Sequence, residues 1–369
     1  AYAKAKEAPV IHRGLITVCV MLATIMQALD TTIANVALPY MQGSLGVTLD
    51  QVTWVLTSYI VAAAIMTAPS GWLAVRFGRK KVFIIAAAGF TIASMLCGAA
   101  QGINDMVAYR LLQGVFGAAL VPLSQAVMMD IYPAEKRGQA MAIWGMGVML
   151  GPIMGPTLGG WLTEYYSWRW VFLINLPFGI ATVLGLMAYM PDTKPREMRF
   201  DWLGFATLSL AIGFLQLMLD RGESQGWFQS NEIILEAIIA GAAGYLFIAH
   251  TATAEKPFVP PQLFKDWNFT LGVFFMFIVG VLILASVALI TPFVQNVMGY
   301  PVLDAGFLLG TRGIGTMVSM MVVGRLLSFI DARILIGLGM AFSAFSLWMM
   351  TGITPDISSF IMILTSVLQ

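Results

Sequence analysis

Long apolar stretches constrain the fold of this chain more than any other feature of its sequence. Stretches of about 18 to 25 mostly apolar residues, the length that crosses a hydrocarbon core of about 30 Å, recur from residue 14 onward. The fourth (106–129) and the sixth (170–190) are each expected to form one helix. Hydrophobic residues make up 59% of the chain and charged residues 11%, values outside the range of soluble domains. The sequence therefore predicts an all-α polytopic membrane protein with about twelve apolar helices.

The basic residues predict the orientation of these helices, because cytoplasmic loops of membrane proteins are enriched in Lys and Arg. With the N-terminus in the cytoplasm, nearly all of the 20 Lys and Arg residues fall on the cytoplasmic side. Arg169 and Arg221 fall outside, and Arg110 and Arg312 lie within or at the edge of apolar stretches. We therefore expect a cytoplasmic N-terminus.

The sequence has no pattern typical of nucleic-acid binding, metal binding or catalysis. It lacks a basic run with interleaved aromatic residues. The 2 cysteines lie in apolar stretches and the 2 histidines are far apart, so neither a metal site nor a disulfide framework is indicated. His, Cys and acidic residues do not cluster at catalytic spacing. We expect no cofactor, no metal and no enzymatic activity.

One apolar stretch is unusually rich in glycine and proline. Residues 145–160 read GMGVMLGPIMGPTLGG. Glycines four residues apart share one face of a helix and let a second backbone approach closely. The glycines four residues apart are Gly147, Gly151, Gly155 and Gly159, and Gly160 follows the last of them. Pro152 and Pro156 lie between these glycines and are expected to kink the helix. This face is either a passive packing seam or a surface that moves during function.

Asp30 is an acidic residue inside the first apolar stretch. A carboxylate in a membrane helix costs about 2.5 to 3.5 kcal/mol on insertion scales, so it should face the protein interior. It either forms a fixed ion pair or gains and loses a proton. Arg110, at a similar depth in the fourth stretch, is the expected partner, and as a permanent cation it would act electrostatically on the carboxylate. The alternative for Arg110 is a side chain that reaches the outer interface.

Two further sets of residues are candidates for conformational and substrate roles. The loop at residues 71–81 contains Gly71 and Gly78, which predict a tight turn. It also contains cations, among them Arg76 and Arg79, and we expect these four residues to form a cytoplasmic latch. The alternative is that the cations only fix the orientation of the helices in the membrane. Polar and aromatic side chains within apolar stretches are candidates for a substrate cavity, with lipid or core contact as the alternative: Gln27, Asn35, Trp54, Tyr59, Gln113, Gln125 and Gln295.

An internal similarity predicts how the chain is divided. Residues 71–80 read GWLAVRFGRK, and Gly324, Arg325 and Arg333 hold comparable places after the tenth stretch. We expect an N-terminal six-helix bundle at 14–190, linkers with an inserted helix pair at 191–267, and the first part of a C-terminal bundle at 268–369. The last stretch opens near Ile357 and has about 13 residues, which span about 20 Å as a helix. The C-terminal bundle is therefore expected to be incomplete in this chain.

Several of these motifs resemble those of a known family. The glycine-proline stretch resembles the antiporter signature of the major facilitator superfamily. Residues 29–39, LDTTIANVALP, resemble the first-helix signature of its fourteen-helix drug:proton antiporter branch. Arg110, Gln113, Gly114 and Gly117 resemble the fourth-helix motif, and the similarity covers nearly the whole chain. The resemblance implies a major facilitator fold, in which two six-helix bundles and an inserted helix pair surround a central cavity.

The resemblance also implies a function. Members of this branch export hydrophobic drugs or other toxic small molecules in exchange for protons, by alternating access across the bacterial inner membrane. Their partners are a periplasmic adaptor and an outer-membrane channel. Val75 stands where the family usually has an Asp in the cytoplasmic latch, so we do not expect that latch in its usual form. A proton-coupled importer is the alternative within transport, and a polytopic membrane enzyme is the alternative from another class.

Overall fold

The computed structural model describes residues 12–327, 329–354 and 357–369. Helices provide the regular structure of these residues. They are α1 (Arg13–Leu45), α2 (Leu49–Phe77), α3 (Arg79–Ala99), α4 (Ile103–Gly117), α5 (Leu120–Ile131), α6 (Arg137–Tyr165), α7 (Trp170–Leu173), α8 (Asn175–Tyr189), α9 (Trp202–Arg221), α10 (Asn231–Thr253), α11 (Trp267–Pro292), α12 (Val302–Leu326), α13 (Ala332–Met350) and α14 (Ser359–Leu368). Within the described residues, 9 helical segments have the length and composition needed to cross a membrane. The prediction of an all-α membrane protein is confirmed.

Prolines divide two of the predicted helices. The fourth stretch forms α4 and α5, and the sixth forms α7 and α8, so each predicted segment is one helical span (Ile103–Ile131 and Trp170–Tyr189) with a short interruption that was not predicted. Pro122 has no N–H to donate to the carbonyl of Ala118, and Pro177 has none for Leu173; both carbonyls lie beside the observed breaks. By contrast, α6 runs without interruption through Pro152 and Pro156. The kinks expected at those two prolines stay a prediction.

Turn chemistry fixes the ends of α1, α2 and α3. Gly46, with φ of 64°, ends α1 in the left-handed conformation that glycine adopts without strain. Thr48 and Gln51 then form a reciprocal capping box that opens α2. Gly78, with φ of 92°, separates α2 from α3. These signals keep the three helices in tight succession.

The packing of the helices places α6 between two neighbours. Helix α1 packs against α6 and α8, α2 against α4, and α3 against α4 and α8. Helices α9 and α10 pack on each other, and α9 lies against α2. Helix α12 packs against the side of α6 that α1 leaves free, and α14 packs against α12. The division at 14–190, 191–267 and 268–369 stays a prediction.

Two buried apolar clusters fill the first eight helices and leave a polar layer between them. One cluster takes its α1 residues from 16–26 and also includes Phe83, Phe90, Leu120 and Leu186. The other takes its α1 residues from 33–41 and includes Cys97, Met106 and Phe172. The intervening positions on four helices are polar and buried: Asp30 on α1, Ser94 on α3, Arg110 on α4 and Asn175 on α8.

Candidate functional site

The polar layer is built around an ion pair between α1 and α4. Nη1 of Arg110 donates to Oδ2 of Asp30 at 2.7 Å, and the two side chains are 1% and 0% exposed. Nε of Arg110 donates to the carbonyl of Val55 on α2 at 2.9 Å. The expected pairing of Asp30 with Arg110 is confirmed. The alternative of an arginine that reaches the outer interface is wrong, because the side chain is enclosed.

Two amides complete the shell of Asp30. Nε2 of Gln113 donates to Oδ1 of Asp30 at 2.8 Å, while Oε1 of Gln113 accepts from Arg110 at 2.7 Å. Nδ2 of Asn175 lies 3.3 Å from the same Oδ1 and donates to Oγ of Ser94 at 2.9 Å. Both carboxylate oxygens therefore have donors, and these donors belong to α4 and α8.

Aromatic rings close the space around the guanidinium of Arg110. Its Cζ lies 4.2 Å from the ring centroid of Tyr59 and 5.6 Å from that of Phe172. Such stacking contributes about 0.5 to 2 kcal/mol and excludes water from the ion pair. Gln27 donates to Oη of Tyr59 at 3.3 Å, which extends the layer toward the surface of α1. In this dry setting, removal of either charge would leave the other buried without compensation, at a cost of about 3 to 5 kcal/mol.

Sequence reasoning did not select Ser94 and Asn175 as site residues. Asn175 stands at the break between α7 and α8, and the hydroxyl of Ser94 donates to the backbone carbonyl of Phe172 beside that break at 2.9 Å. Both are polar residues inside apolar stretches, where a polar group needs a protein partner. The sequence therefore indicates that each side chain has a protein partner, but it does not show which residue the partner is.

The glycine row of α6 forms a close interface with α1. A Cβ placed on Gly151 would lie 2.4 Å from the backbone carbonyl of Ala28, and one on Gly155 would lie 2.1 Å from Oγ1 of Thr32. Gly147 and Gly159 contact α1 in the same way, and Gly160 is buried beside them. Oγ1 of Thr32 also donates to the carbonyl of Gly151 at 3.0 Å. The predicted close approach of a neighbouring helix is confirmed, and that neighbour is the helix that carries Asp30.

A second side of α6 meets α12. A Cβ on Gly145 would overlap Met320, and a Cβ on Gly324 would lie 2.9 Å from Cβ of Ala142. Gly313 of α12 similarly approaches Ile153 of α6. Helix α6 is therefore the element through which α1 is connected to α12.

Three of the four proposed latch residues, Arg76, Gly78 and Arg79, lie at the junction of α2 and α3. Arg79 forms an ion pair with Asp130 of α5, and its backbone N–H donates to Oγ1 of Thr193 at 2.6 Å. Gly78 turns the chain with positive φ, and a Cβ there would lie 2.9 Å from the carbonyl oxygen of Thr193. Arg76 lies 5.9 Å from the ring of Phe77.

Gly71 does not belong to this turn. It is an exposed residue within α2, and a Cβ placed on it would have no described neighbour within 4 Å. The expectation of a tight turn was therefore wrong for Gly71, because α2 continues to Phe77 before the chain changes direction.

The linker after α8 holds this junction in place. The N–H of Arg196 donates to the carbonyl of Val75 at 2.9 Å, and Lys80 pairs with Asp192 at 3.3 Å. Val75 itself is a surface residue of α2 and has no charge to contribute. Two cations of the loop, Arg79 and Lys80, therefore pair with carboxylates on α5 and on the linker.

The seven cavity candidates do not gather into one site. Tyr59 and Gln113 are buried in the polar layer, and Gln27 is bonded to Tyr59. Asn35 donates to its own helix at the carbonyl of Thr31. The others are spread over the molecule: Trp54 lines a groove of about 380 Å³ between α2 and α4, Gln125 contacts Met141, and Gln295 lies in the π-helical turn after α11. Their role in substrate binding stays a prediction.

A separate polar cluster fixes the start of the α9–α10 pair. Asp201 caps α9 by accepting from the N–H of Gly204 at 2.9 Å, and it also accepts from His250 and from the N–H of Phe258. Burial by itself would raise the pKa of Asp201, but these donors together outweigh it and lower the pKa below its usual value. Asp201 therefore stabilises the pair in its ionised form. Within the described residues, no group of three or more His, Cys, Asp and Glu is placed to hold a metal ion.

Two curated relatives of the chain are named for multidrug export and for fatty acid resistance. The chain is 40% identical over 324 residues to the multidrug export protein EmrB of Escherichia coli K12, which covers 87% of this chain and 63% of that protein. It is 38% identical over 343 residues to the fatty acid resistance protein FarB of Neisseria gonorrhoeae, covering 92% and 68%. The chain thus spans less than two thirds of the length of EmrB.

Solved structures and a family model agree on the fold. The proton:xylose symporter XylE aligns with a TM-score of 0.63 at 16% identity, covering 96% of this chain and 77% of that one. The peptide transporter POT aligns with a TM-score of 0.62 at 14% identity, covering 96% and 80%. The family model described as Major Facilitator Superfamily matches residues 20–368. This integral membrane protein belongs to the major facilitator superfamily.

Proposed function

We propose that the protein exports hydrophobic drugs or other toxic small molecules across the bacterial inner membrane in exchange for protons. The observation that carries this proposal is the buried Asp30–Arg110 pair, in which both carboxylate oxygens are bonded by groups from other helices. An intramembrane carboxylate of this kind is the chemical group expected at a proton-coupling site. The proton motive force is the proposed energy source, with no cofactor.

Protonation of Asp30 would change the bonding of three helices at once. A neutral Asp30 leaves Arg110 as a buried cation without a counter-charge, which is unfavourable by several kcal/mol. The layer must then rearrange, either by separating α1 from α4 and α8 or by admitting water. Proton binding is thereby coupled to helix movement, which is the step that an antiporter requires.

The glycine interface connects the part of α1 that carries Asp30, through α6, to α12. Ala28 and Thr32, which flank Asp30 within one helical turn, contact Gly151 and Gly155 of α6. Because α6 also packs on α12, a displacement of this turn of α1 would be transmitted to α12. This supports the moving-surface interpretation of the glycine row over the passive seam.

Export of hydrophobic compounds is supported by the names of the relatives EmrB and FarB. One proton that crosses about 150 mV supplies roughly 3.5 kcal/mol, enough for a gradient of a few hundredfold. A cytoplasmic N-terminus is proposed from the basic residues, and a periplasmic adaptor and an outer-membrane channel are proposed as partners from the family resemblance.

The test is drug accumulation and coupled proton release in proteoliposomes carrying Asp30→Asn. Asparagine keeps the shape of the side chain but removes its titratable proton, so we expect accumulation against a gradient to be lost. Asp50→Asn, at an exposed acidic residue near the start of α2, is the matched control and should transport normally. Normal coupled transport by Asp30→Asn would refute the proposal.

A double variant separates proton coupling from a purely structural ion pair. Asp30→Asn combined with Arg110→Gln removes both charges and should recover stability relative to Asp30→Asn alone. A structural pair would predict that transport recovers as well. We expect the double variant to fold and to remain uncoupled.

A further inference from the structure

Glu236 is a second buried carboxyl group, remote in sequence from the Asp30 layer. It lies in the second turn of α10, and its side chain is 7% exposed. Glu232, one turn earlier on the same helix, is 48% exposed. Burial of a carboxyl group is costly unless it is paired and hydrogen-bonded, so the partners of Glu236 decide its state.

The partners of Glu236 are insufficient for a stable carboxylate. Its charged neighbours in the described part of the chain are Arg221 and Glu232. Nη1 of Arg221 is 3.9 Å from Oε1 of Glu236, beyond hydrogen-bonding distance. Oε2 of Glu236 is buried and has no hydrogen-bond partner among the described residues. Two carboxyl groups thus compete for one guanidinium, and Glu232 holds it through both Nη atoms.

The same guanidinium connects α9 to α2. Cζ of Arg221 lies 5.1 Å from the ring centroid of Trp54, and the adjacent Asp220 accepts a hydrogen bond from Thr57. The end of the pair at which α9 connects to α10 is therefore held on α2 by two contacts: the guanidinium of Arg221 on the ring of Trp54, and the carboxylate of Asp220 on the hydroxyl of Thr57. A change in the partner of Arg221 would act on this contact.

We propose that Glu236 is a proton-binding site at the end of the α9–α10 pair that controls the contact of Arg221 with Trp54. With the proton bound, Glu236 is neutral and Arg221 stays with Glu232 and Trp54. After the proton leaves to water, the carboxylate of Glu236 draws the guanidinium toward itself and away from the ring. No bond other than O–H forms or breaks, and Asp30 takes no part.

The test is infrared difference spectroscopy of the purified protein during a pH titration. The carbonyl stretch of a protonated carboxyl group reports groups that are buried away from water, and the part of this band that Glu236→Gln removes belongs to Glu236 rather than to Asp30. We expect this part of the band in the unmodified protein and in Glu255→Gln, at an exposed residue just after α10, and its loss in Glu236→Gln. An unchanged band in Glu236→Gln would overturn the proposal. Glu236→Asp, which keeps the carboxyl group but shortens it, should retain the band at a shifted frequency, and an unshifted band there would also overturn it.

A second measurement addresses the contact with Trp54. The emission difference between the protein and Trp54→Phe isolates this one indole from the 10 tryptophans of the chain. We expect the difference to titrate with the same midpoint as the infrared band and to become independent of pH in Glu236→Gln. A pH-independent difference in the unmodified protein would refute the role of Arg221. Neither readout requires transport, so failure here is distinct from failure of the export proposal.

Discussion

Gly151→Ala tests whether the contact between α1 and α6 is as close as the structure indicates. The added methyl carbon would lie 2.4 Å from both the carbonyl carbon and the carbonyl oxygen of Ala28. Carbon atoms in contact are ordinarily about 3.5 to 4.0 Å apart, so the helices must separate by roughly 1 Å. At Gly155 the obstacle is the side chain of Thr32, whereas at Gly151 it is backbone that cannot rotate away.

The expected change in the free energy of unfolding is the steric cost of overpacking, and a matched control variant isolates it. Forcing one extra carbon into a packed interface costs about 1 to 3 kcal/mol, and replacing glycine by alanine within a helix gains up to about 1 kcal/mol. Gly241→Ala in α10 has the same propensity gain, but no described residue of another helix lies within 4 Å of its added methyl group. The difference between the two variants therefore isolates the steric cost of about 1 to 3 kcal/mol, roughly fivefold to more than a hundredfold in the unfolding equilibrium.

The two cysteines of the chain provide the assay. Cys19 and Cys97 are both buried, so a thiol-reactive fluorophore labels them only when the bundle opens. We expect Gly151→Ala to become labelled at a lower temperature than the unmodified protein, and Gly241→Ala at the same or a higher temperature. Coincident labelling curves for the two glycine variants would refute the close-contact reasoning.

Three further predictions concern other parts of the fold. Asp201→Asn should destabilise the protein at neutral pH. Because folding lowers the pKa of Asp201, the stability that its carboxylate contributes is present above the unfolded pKa of about 3.9 and is lost as the pH falls through the folded pKa. The melting curves of the variant and the unmodified protein should therefore converge in acid. Asn175→Ala should reduce the proposed proton-coupled transport, since it removes a donor to Asp30, and a pH profile identical to that of the unmodified protein would contradict this. Gly78→Ala should destabilise the α2–α3 junction by about 1 kcal/mol or more through its positive φ and the carbonyl of Thr193, as measured by the same thiol assay.

Local hydropathy was sufficient to predict where long apolar helices form, because the cost of exposing a polar backbone to lipid acts on each segment separately. The same reasoning explains why helix breaks were missed. Pro122 and Pro177 lie within uniformly apolar stretches, and Pro152 and Pro156 do not interrupt α6, so proline content by itself did not distinguish a break from a continuous helix. Neighbouring helices can supply the hydrogen bonds that a proline removes, and that depends on packing.

The sequence by itself determined that Asp30 must have a partner and that the glycine row of α6 must meet a backbone, because both follow from the energetics of one helix in lipid. Only the tertiary structure decided which partners these are. Asn175 reaches Asp30 across 145 positions of the chain, and Ala28 fills the space at Gly151. Contacts of this range depend on the order in which helices pack around each other. The arrangement of the helices depends on how well all their surfaces fit together, so it cannot be read from the sequence of any single helix.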